Sequence, residues 1–412
     1  MQDKPELLSP AGDMERLNMA LRFGANAVYL SGHGFGMRGG CPNFGEDELR
    51  EAVQRCHAGG VRVHVTVNTL PRDDEMEALP AYLELLNDIG ADALIVADLG
   101  VFNLGKRYAP RCELHVSTQT GIVNSATAAG WFDLGAKRVV LAREMSLDEI
   151  ARLRAHTPPE LEIETFVHGS MCVSFSGRCL LSNYMTGRDG NRGVCAQPCR
   201  WKYALMEEKR PGQYFPIYET EQGTYIMNSR DLCMIDHVKE LLDAGVDALK
   251  IEGRNKSSYY TAVVTNAYQH AIRAALEGRP LEPVWRDEVE KVSHRNYYTG
   301  FYFGIPGNSQ FYEESRYIRD WQIAGFVTAC APDGSAAVSQ RNRFSVGDEL
   351  ELVTPDREPA AFRVEAMTDG EGTPIASCPH PRQEVRLKLP CAAPPDSILR
   401  RKVAVDSGAA AL

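Results

Sequence analysis

Phe23-Gly24-Ala25-Asn26-Ala27-Val28-Tyr29-Leu30 sets a pattern that the chain repeats. It returns as Ile89-Gly90-Ala91-Asp92-Ala93-Leu94-Ile95-Val96, as Leu134-Gly135-Ala136-Lys137-Arg138-Val139-Val140-Leu141, and as Ala244-Gly245-Val246-Asp247-Ala248-Leu249-Lys250-Ile251. Gly60-Val61-Arg62-Val63-His64-Val65 is a looser copy. In each, an amphipathic stretch ends at a glycine that tolerates a left-handed cap, and a β-rich apolar run follows at once. The repeat is therefore a helix-to-strand connection, and the spacing between most copies suits βα units with buried parallel strands.

Eight strands are expected near Glu6–Ser9, Ala27–Leu30, Arg62–Asn68, Ala91–Asp98, Glu113–Thr118, Lys137–Arg143, Glu160–Val167 and Ala248–Glu252. Helices are expected over Met14–Phe23, Glu46–His57, Glu75–Ile89, Leu147–Ala155, Asp231–Ala244 and Ser258–Glu277. Eight parallel strands point to an α/β fold of the closed (β/α)₈ TIM-like type. An open doubly wound sheet fits less well, since no G-x-G-x-x-G follows the first strand. The rhythm breaks once, in a long insertion from Gly169 to Arg230 after the seventh strand. Barrel insertions of that kind lie in βα loops on the catalytic face.

Residues 1–278 thus form the expected barrel domain, with the insertion at 169–230. Residues 279–320 read as a linker opened by Arg279-Pro280-Leu281-Glu282-Pro283. Over 321–403 short strands at Gln322–Ala329, Ala336–Gln340, Glu349–Val353, Ala361–Ala366 and Glu384–Leu389 suggest a small antiparallel β-barrel.

No apolar run at the start resembles a signal peptide, and no stretch is long enough to span a bilayer, which predicts a cytoplasmic protein without a membrane partner. A net charge of −10 over 412 residues argues against whole-surface attraction to nucleic acid, though a local basic face remains open. Eleven cysteines in a chain without an export signal make a disulfide scaffold improbable and clustered thiols candidate metal ligands.

The sharpest cluster is Cys172-x₆-Cys179 followed by Cys195-x₃-Cys199. Four thiolates from one loop can ligate a 4Fe–4S cluster or tetrahedral Zn²⁺. Cys233 is a possible further participant at the start of a helix, although Leu232, Met234 and Ile235 make it equally a core-facing turn. Cys41, Cys56, Cys112, Cys330, Cys378 and Cys391 stand alone and read as small apolar residues.

At the strand ends a polar ring is expected from Ser9, Gly12, Asp13, Asn68, Asp98, Ser117 to Gln119, Arg143, Glu144, His168, Glu252 and Arg254. Arg143, Arg254 and Lys256 suit a carboxylate or phosphate, which a guanidinium grips as a fork; salt bridges such as Glu252 with Arg254 are the plainer use. His168 adjoins the cysteine loop and is a candidate proton donor or outer partner of a cluster. Between Arg178 and Arg210 basic residues outnumber acidic ones, with Tyr184, Trp201 and Tyr203 interleaved, a composition suited to a single-stranded RNA loop. H-E-x-x-H, G-x-S-x-G and Walker-type loops are absent, which weakens hydrolase and nucleotide-triphosphatase readings.

Glu164-Thr165-Phe166-Val167-His168-Gly169-Ser170-Met171-Cys172 with Gly177-Arg178-Cys179-Leu180-Leu181-Ser182 resembles the signature of the collagenase-like peptidase family thirty-two, of unknown catalytic type. Glu6-Leu7-Leu8-Ser9-Pro10-Ala11-Gly12, Leu249-Lys250-Ile251-Glu252-Gly253-Arg254 and Asn342-Arg343-Phe344-Ser345-Val346-Gly347-Asp348 extend the resemblance across both domains. Tyr225-Ile226-Met227-Asn228-Ser229-Arg230-Asp231 and Cys199-Arg200-Trp201-Lys202-Tyr203 are similar to the branch that makes 5-hydroxyuridine at the wobble position of the tRNA anticodon loop. That branch implies an oxygen-independent, prephenate-dependent hydroxylation, and related members hold a 4Fe–4S cluster. By position its ligands would be Cys172, Cys179, Cys195 and Cys199, with Cys233 as substitute for the fourth. The catalytic candidates are His168, Arg143, Glu252 and Arg254, with a small carboxylated co-substrate. The alternative is a peptidase acting on extended peptides, as the family label has it.

Overall fold

Strands β1 (Glu6–Pro10), β2 (Ala27–Leu30), β3 (Arg62–Val67), β4 (Ala93–Val96), β5 (Glu113–Val116), β6 (Arg138–Val140) and β7 (Glu162–Ser170) pair in sequence order, all parallel. They belong to a computed structural model that describes residues 5–37, 42–172, 174–175, 179–201, 204–205, 215–216, 230–304 and 318–403. Cys41, Gly177-Arg178, Lys202-Tyr203 and Tyr225–Ser229 lie outside the described residues. The insertion also contains a two-residue pairing of β8 (Ala204–Leu205) with β9 (Phe215–Pro216).

A short strand, β10 (Asp231–Cys233), runs antiparallel to the end of β7, and β11 (Ala248–Ile251) pairs in parallel with both β7 and β1. That double pairing closes an eight-stranded barrel. Its strands are buried runs such as Ala27–Leu30 and Ala93–Val96, as expected where both faces are covered. Each repeated glycine, Gly24, Gly90, Gly135 and Gly245, has φ between 82° and 106°, the left-handed turn that ends a helix and starts the next strand.

Helices α1 (Met14–Arg22), α2 (Glu46–Ala58), α5 (Leu99–Tyr108), α6 (Ser125–Asp133) and α7 (Leu147–Ala155) alternate with these strands. Asp98 caps α5 by accepting from the Val101 N–H at 3.0 Å, and Ser146 with Glu149 forms a capping box on α7.

Two expectations need correction. Glu75–Ile89 is not one helix: α3 (Asp73–Met76) stops before α4 (Leu79–Ile89), whose first turn carries Pro80, a residue without the N–H a continuous helix would use. Asp231–Ala244 is not helical from its start. Asp231–Cys233 is β10, and helix α9 begins only at Val238, running to Asp243. Asp231 favours the extended form because its carboxylate accepts from the Arg295 N–H at 3.2 Å, while β12 (Tyr297–Tyr298) pairs alongside. Helix α8 (Leu181–Thr186) lies within the insertion.

The chain divides into two compact units. One comprises residues 1–17, 26–255 and 295–316, and so holds the barrel strands and the insertion. The other joins residues 18–25, 256–294 and 317–412. In the second, α10 (Ser258–Leu276) packs on α11 (Pro283–Glu290), and seven antiparallel strands form a half-barrel. These are β13 (Trp321–Cys330), β14 (Ser335–Gln340), β15 (Glu349–Val353), β16 (Ala360–Arg363), β17 (Met367–Asp369), β18 (Glu384–Lys388) and β19 (Ile398–Lys402), in the order β16-β15-β19-β13-β14-β18-β17. Its core gathers Val338, Phe344, Leu350, Val385 and Leu399. Arg400, fully buried, is held by Glu288 and Glu351 at 2.6 Å each. Among the described residues no helix is long and apolar enough to cross a membrane.

Candidate active site

The carboxyl ends of the barrel strands surround an open cavity of about 520 Å³, counting the solvent at its mouth. Thr66 and Asn68 come from β3 and its end, Ser117 to Gln119 from the end of β5, Arg143 from beyond β6, and Lys250, Glu252 and Arg254 from β11 and its extension. Tyr29 and Phe166 supply aromatic walls. Three of the four catalytic candidates, Arg143, Glu252 and Arg254, therefore face one space.

Their placement is fixed by the backbone. The Arg143 guanidinium lies 3.8 Å over the Phe166 ring and donates to the Ser170 carbonyl at 2.9 Å. Arg254 is only 3% exposed and donates to Thr66 Oγ1 at 3.4 Å. A Cβ at Gly12 would overlap the Arg254 carbonyl, so the first βα turn must carry glycine for that backbone to come so close. Tyr29 Oη donates to the Ile251 carbonyl at 3.0 Å and reaches Glu252 at 3.3 Å.

Lys250 forms the floor. Its ammonium sits 4.7 Å from the Tyr29 ring centre and 2.8 Å from Glu164, which Arg138 holds from the other side at 3.0 Å. Burial pushes the Glu164 carboxyl up, but Lys250 and Arg138 outweigh it, and the group stays below the ordinary carboxylate range. Among the described residues the wall presents Arg143, Arg254 and Lys250, the last already paired with Glu164, beside the carboxylate Glu252. Guanidinium groups placed in this way suit an anion.

His168 stands apart from that wall. It is 1% exposed, shares a 3.2 Å hydrogen bond with Tyr297 Oη, and lies opposite Cys233 across the β7–β10 pairing. Cys233 is half-buried on a strand rather than in a helical turn. Asp13 pairs with Arg16, Asp98 caps α5 and Lys256 donates to the Ser293 carbonyl, so each serves the local chain structure.

Cys172 follows β7 by two residues and is exposed; Cys179, Cys195 and Cys199 are half-buried in the same loop. The Leu181 N–H donates to Cys179 Sγ and the Gln197 N–H to Cys195 Sγ, both at 3.3 Å. Gly190 stands between them, its Cβ position 3.8 Å from Cys195 Sγ and 3.9 Å from the Cys179 carbonyl. Backbone N–H donors of this kind stabilise thiolates that bind metal. Four thiolates of one loop are donors that a 4Fe–4S cluster or a tetrahedral zinc ion accepts. Cys56 and Cys112 are different: burial pushes both thiols up to about 12, which suits inert core residues.

The described part of the loop also exposes Phe175, Leu180, Tyr184, Met185, Val194 and Trp201, with Tyr184 87% exposed. Arg192 ties the loop to α3 through an ion pair with Glu75. Lys250, Tyr29 and Phe166 escaped the sequence reading. A lysine inside the apolar run Ala248-Leu249-Lys250-Ile251 was the available signal, since such a charge in a barrel strand must face a partner inside.

Residues 12–311 match the peptidase family U32, and residues 319–400 match the C-terminal domain of that family. The chain is 36% identical over 403 residues to the tRNA hydroxylation protein P1 of Bacillus subtilis, covering 97% of this chain and 95% of that one. It is 36% identical to the tRNA hydroxylation protein P of Escherichia coli, covering 94% of each. A 23S rRNA 5-hydroxycytidine synthase of E. coli is 35% identical over 88% of this chain and 54% of that one.

Proposed function

The chain belongs to the peptidase family U32, and from that premise we propose that it is an RNA-hydroxylating enzyme of the cytoplasm, acting on a wobble uridine in the tRNA anticodon loop. The observation that carries this reading is the likeness, over nearly the whole chain, to two proteins named for tRNA hydroxylation. In this reading Arg143 and Arg254 grip the carboxylates of a co-substrate such as prephenate, and Lys250, paired with Glu164, forms the floor beneath it. Glu252, steadied by Tyr29, accepts a proton at the reacting centre. His168 orients β10 through Tyr297 and holds the neighbourhood of Cys233. Tyr184 and Trp201 stack against splayed bases at the loop surface.

Cys172, Cys179, Cys195 and Cys199 would hold a 4Fe–4S cluster, with Cys233 as the substitute fourth ligand. A bound cluster supplies one-electron transfer. Among the described residues the lining of the cavity contains neither histidine nor cysteine, which favours this reading over a peptidase built on a nucleophile and a histidine base. Deleting the gene, together with any second copy, is expected to remove 5-hydroxyuridine derivatives from cellular tRNA. Unchanged levels of those derivatives would refute the proposal.

A further inference from the structure

Below the cavity, inside the barrel, His64 of β3, His115 of β5 and Glu164 of β7 bring one ligand atom each to within 4.8 Å of one another. The three strands are not neighbours, so these side chains meet across the barrel interior. Alternate strands of such a barrel supply one layer of side chains, ordinarily branched aliphatics. Here the β1 member is Glu6, whose carboxylate lies 3.6 Å from His64 Nε2. The layer is therefore two imidazoles and two carboxylates, where packing alone would select valine or leucine.

The imidazoles are fully buried and poorly satisfied. His64 Nδ1, His64 Nε2 and His115 Nδ1 have no hydrogen-bond partner, while His115 Nε2 lies 3.2 Å from Glu113. The rings meet edge to face with centres 4.8 Å apart. Burial, helped by the neighbouring Arg138, Arg62 and Lys250 charges, keeps both rings neutral, with lone pairs available to a cation. A buried nitrogen without a partner is costly, and three in one layer require a ligand or ordered water.

Charge does not forbid a cation. Glu6, Glu113, Glu162 and Glu164 face Arg62, Arg138, Lys137 and Lys250 around the layer, four carboxylates against four cations. Glu164 meets its two cations with different oxygens, and each oxygen keeps a further lone pair. We propose that His64, His115 and Glu164, with Glu6 in reserve, form a binding site for a divalent transition metal ion such as Zn²⁺ or Co²⁺, separate from the cysteine loop. Two histidines and a carboxylate are a donor set such ions accept. The inference does not depend on the RNA reading.

The test is titration of the purified full chain with Co²⁺, followed by its visible spectrum. One equivalent is expected to give the weak bands of nitrogen and oxygen ligation, without the intense near-ultraviolet band of thiolate ligation. Cys172→Ser and Cys195→Ser should leave that equivalent in place. His64→Asn and His115→Gln, each keeping a neutral polar side chain, should weaken it about 100-fold or more. Should these variants fail to fold, X-ray absorption at the cobalt edge of the unmodified chain decides between imidazole and sulfur neighbours. Binding only through sulfur, binding unaltered in the histidine variants, or no stoichiometric binding would each overturn the proposal.

Discussion

The Lys250 ammonium and the Glu164 carboxylate lie 2.8 Å apart with side-chain exposures of 5% and 0%, a buried ion pair joining the cavity floor to the barrel interior. Removing one partner of such a pair strands the other charge away from water. Glu164→Gln, which leaves Lys250 uncompensated while Arg138 keeps Glu6 and Glu162, is expected to cost about 3–5 kcal/mol in urea denaturation. Lys250→Met should cost less, because Arg138 still neutralises Glu164. A Glu164→Gln protein as stable as the unmodified chain would mean that the pair carries no such energy.

Iron content distinguishes the thiols. C172S, C179S, C195S and C199S are each expected to lose most of the iron and sulfide found after anaerobic purification, while C233S keeps it. Loss in C233S with retention in C199S would move the fourth ligand to β10. Cys56→Ser and Cys112→Ser should leave iron unchanged, since those thiols are buried in the core.

Stability should fall in mild acid because of His64 and His115. Their folded-state affinity for protons is lowered, whereas in the unfolded chain they titrate near the ordinary value of about 6.5. Below that pH the unfolded state binds more protons, so stability is full above it and declines as pH drops. Two such groups give a slope approaching about 2.7 kcal/mol per pH unit. Glu6, raised by burial, takes up a proton in the folded state and offsets part of this at lower pH. Urea midpoints between pH 7.5 and 5.5 test the slope, which should flatten in His64→Asn.

Tyr184 and Trp201 are exposed, so truncation should spare the fold and weaken RNA. Tyr184→Ala and Trp201→Ala are each expected to lose about 1–3 kcal/mol of affinity for an anticodon stem-loop in gel-shift titrations. Tyr184→Ala should leave the thermal midpoint nearly unchanged, as surface substitutions do. Equal affinity in both variants would remove base stacking from the account.

The barrel was legible because its signal is local. Gly24, Gly90, Gly135 and Gly245 each mark a helix end whose next residues must enter a strand, and the structure turns at every one. Charge inside strands hid the rest. Ile398-Leu399-Arg400-Arg401-Lys402 carries three basic residues, the composition of a solvated segment, yet it forms β19 and Arg400 is fully buried against Glu288, more than a hundred residues away. Likewise His64, His115, Glu164 and Lys250 are partners only after the barrel closes, and no spacing in the chain records that. The apolar neighbours of Cys233 fit a helical turn; the pairing with His168 on β7 that makes it a strand is non-local.

The most direct measurement of the central claim is anaerobic incubation of the purified chain with prephenate, a chemical electron acceptor such as ferricyanide and tRNA from the deletion strain, followed by mass spectrometry of the wobble nucleoside. The account predicts that uridine gains one oxygen with the unmodified protein, and that both C172S and Lys250→Met fail to add it. Uridine left unaltered by the iron-loaded protein, or altered equally well by C172S, would contradict the account.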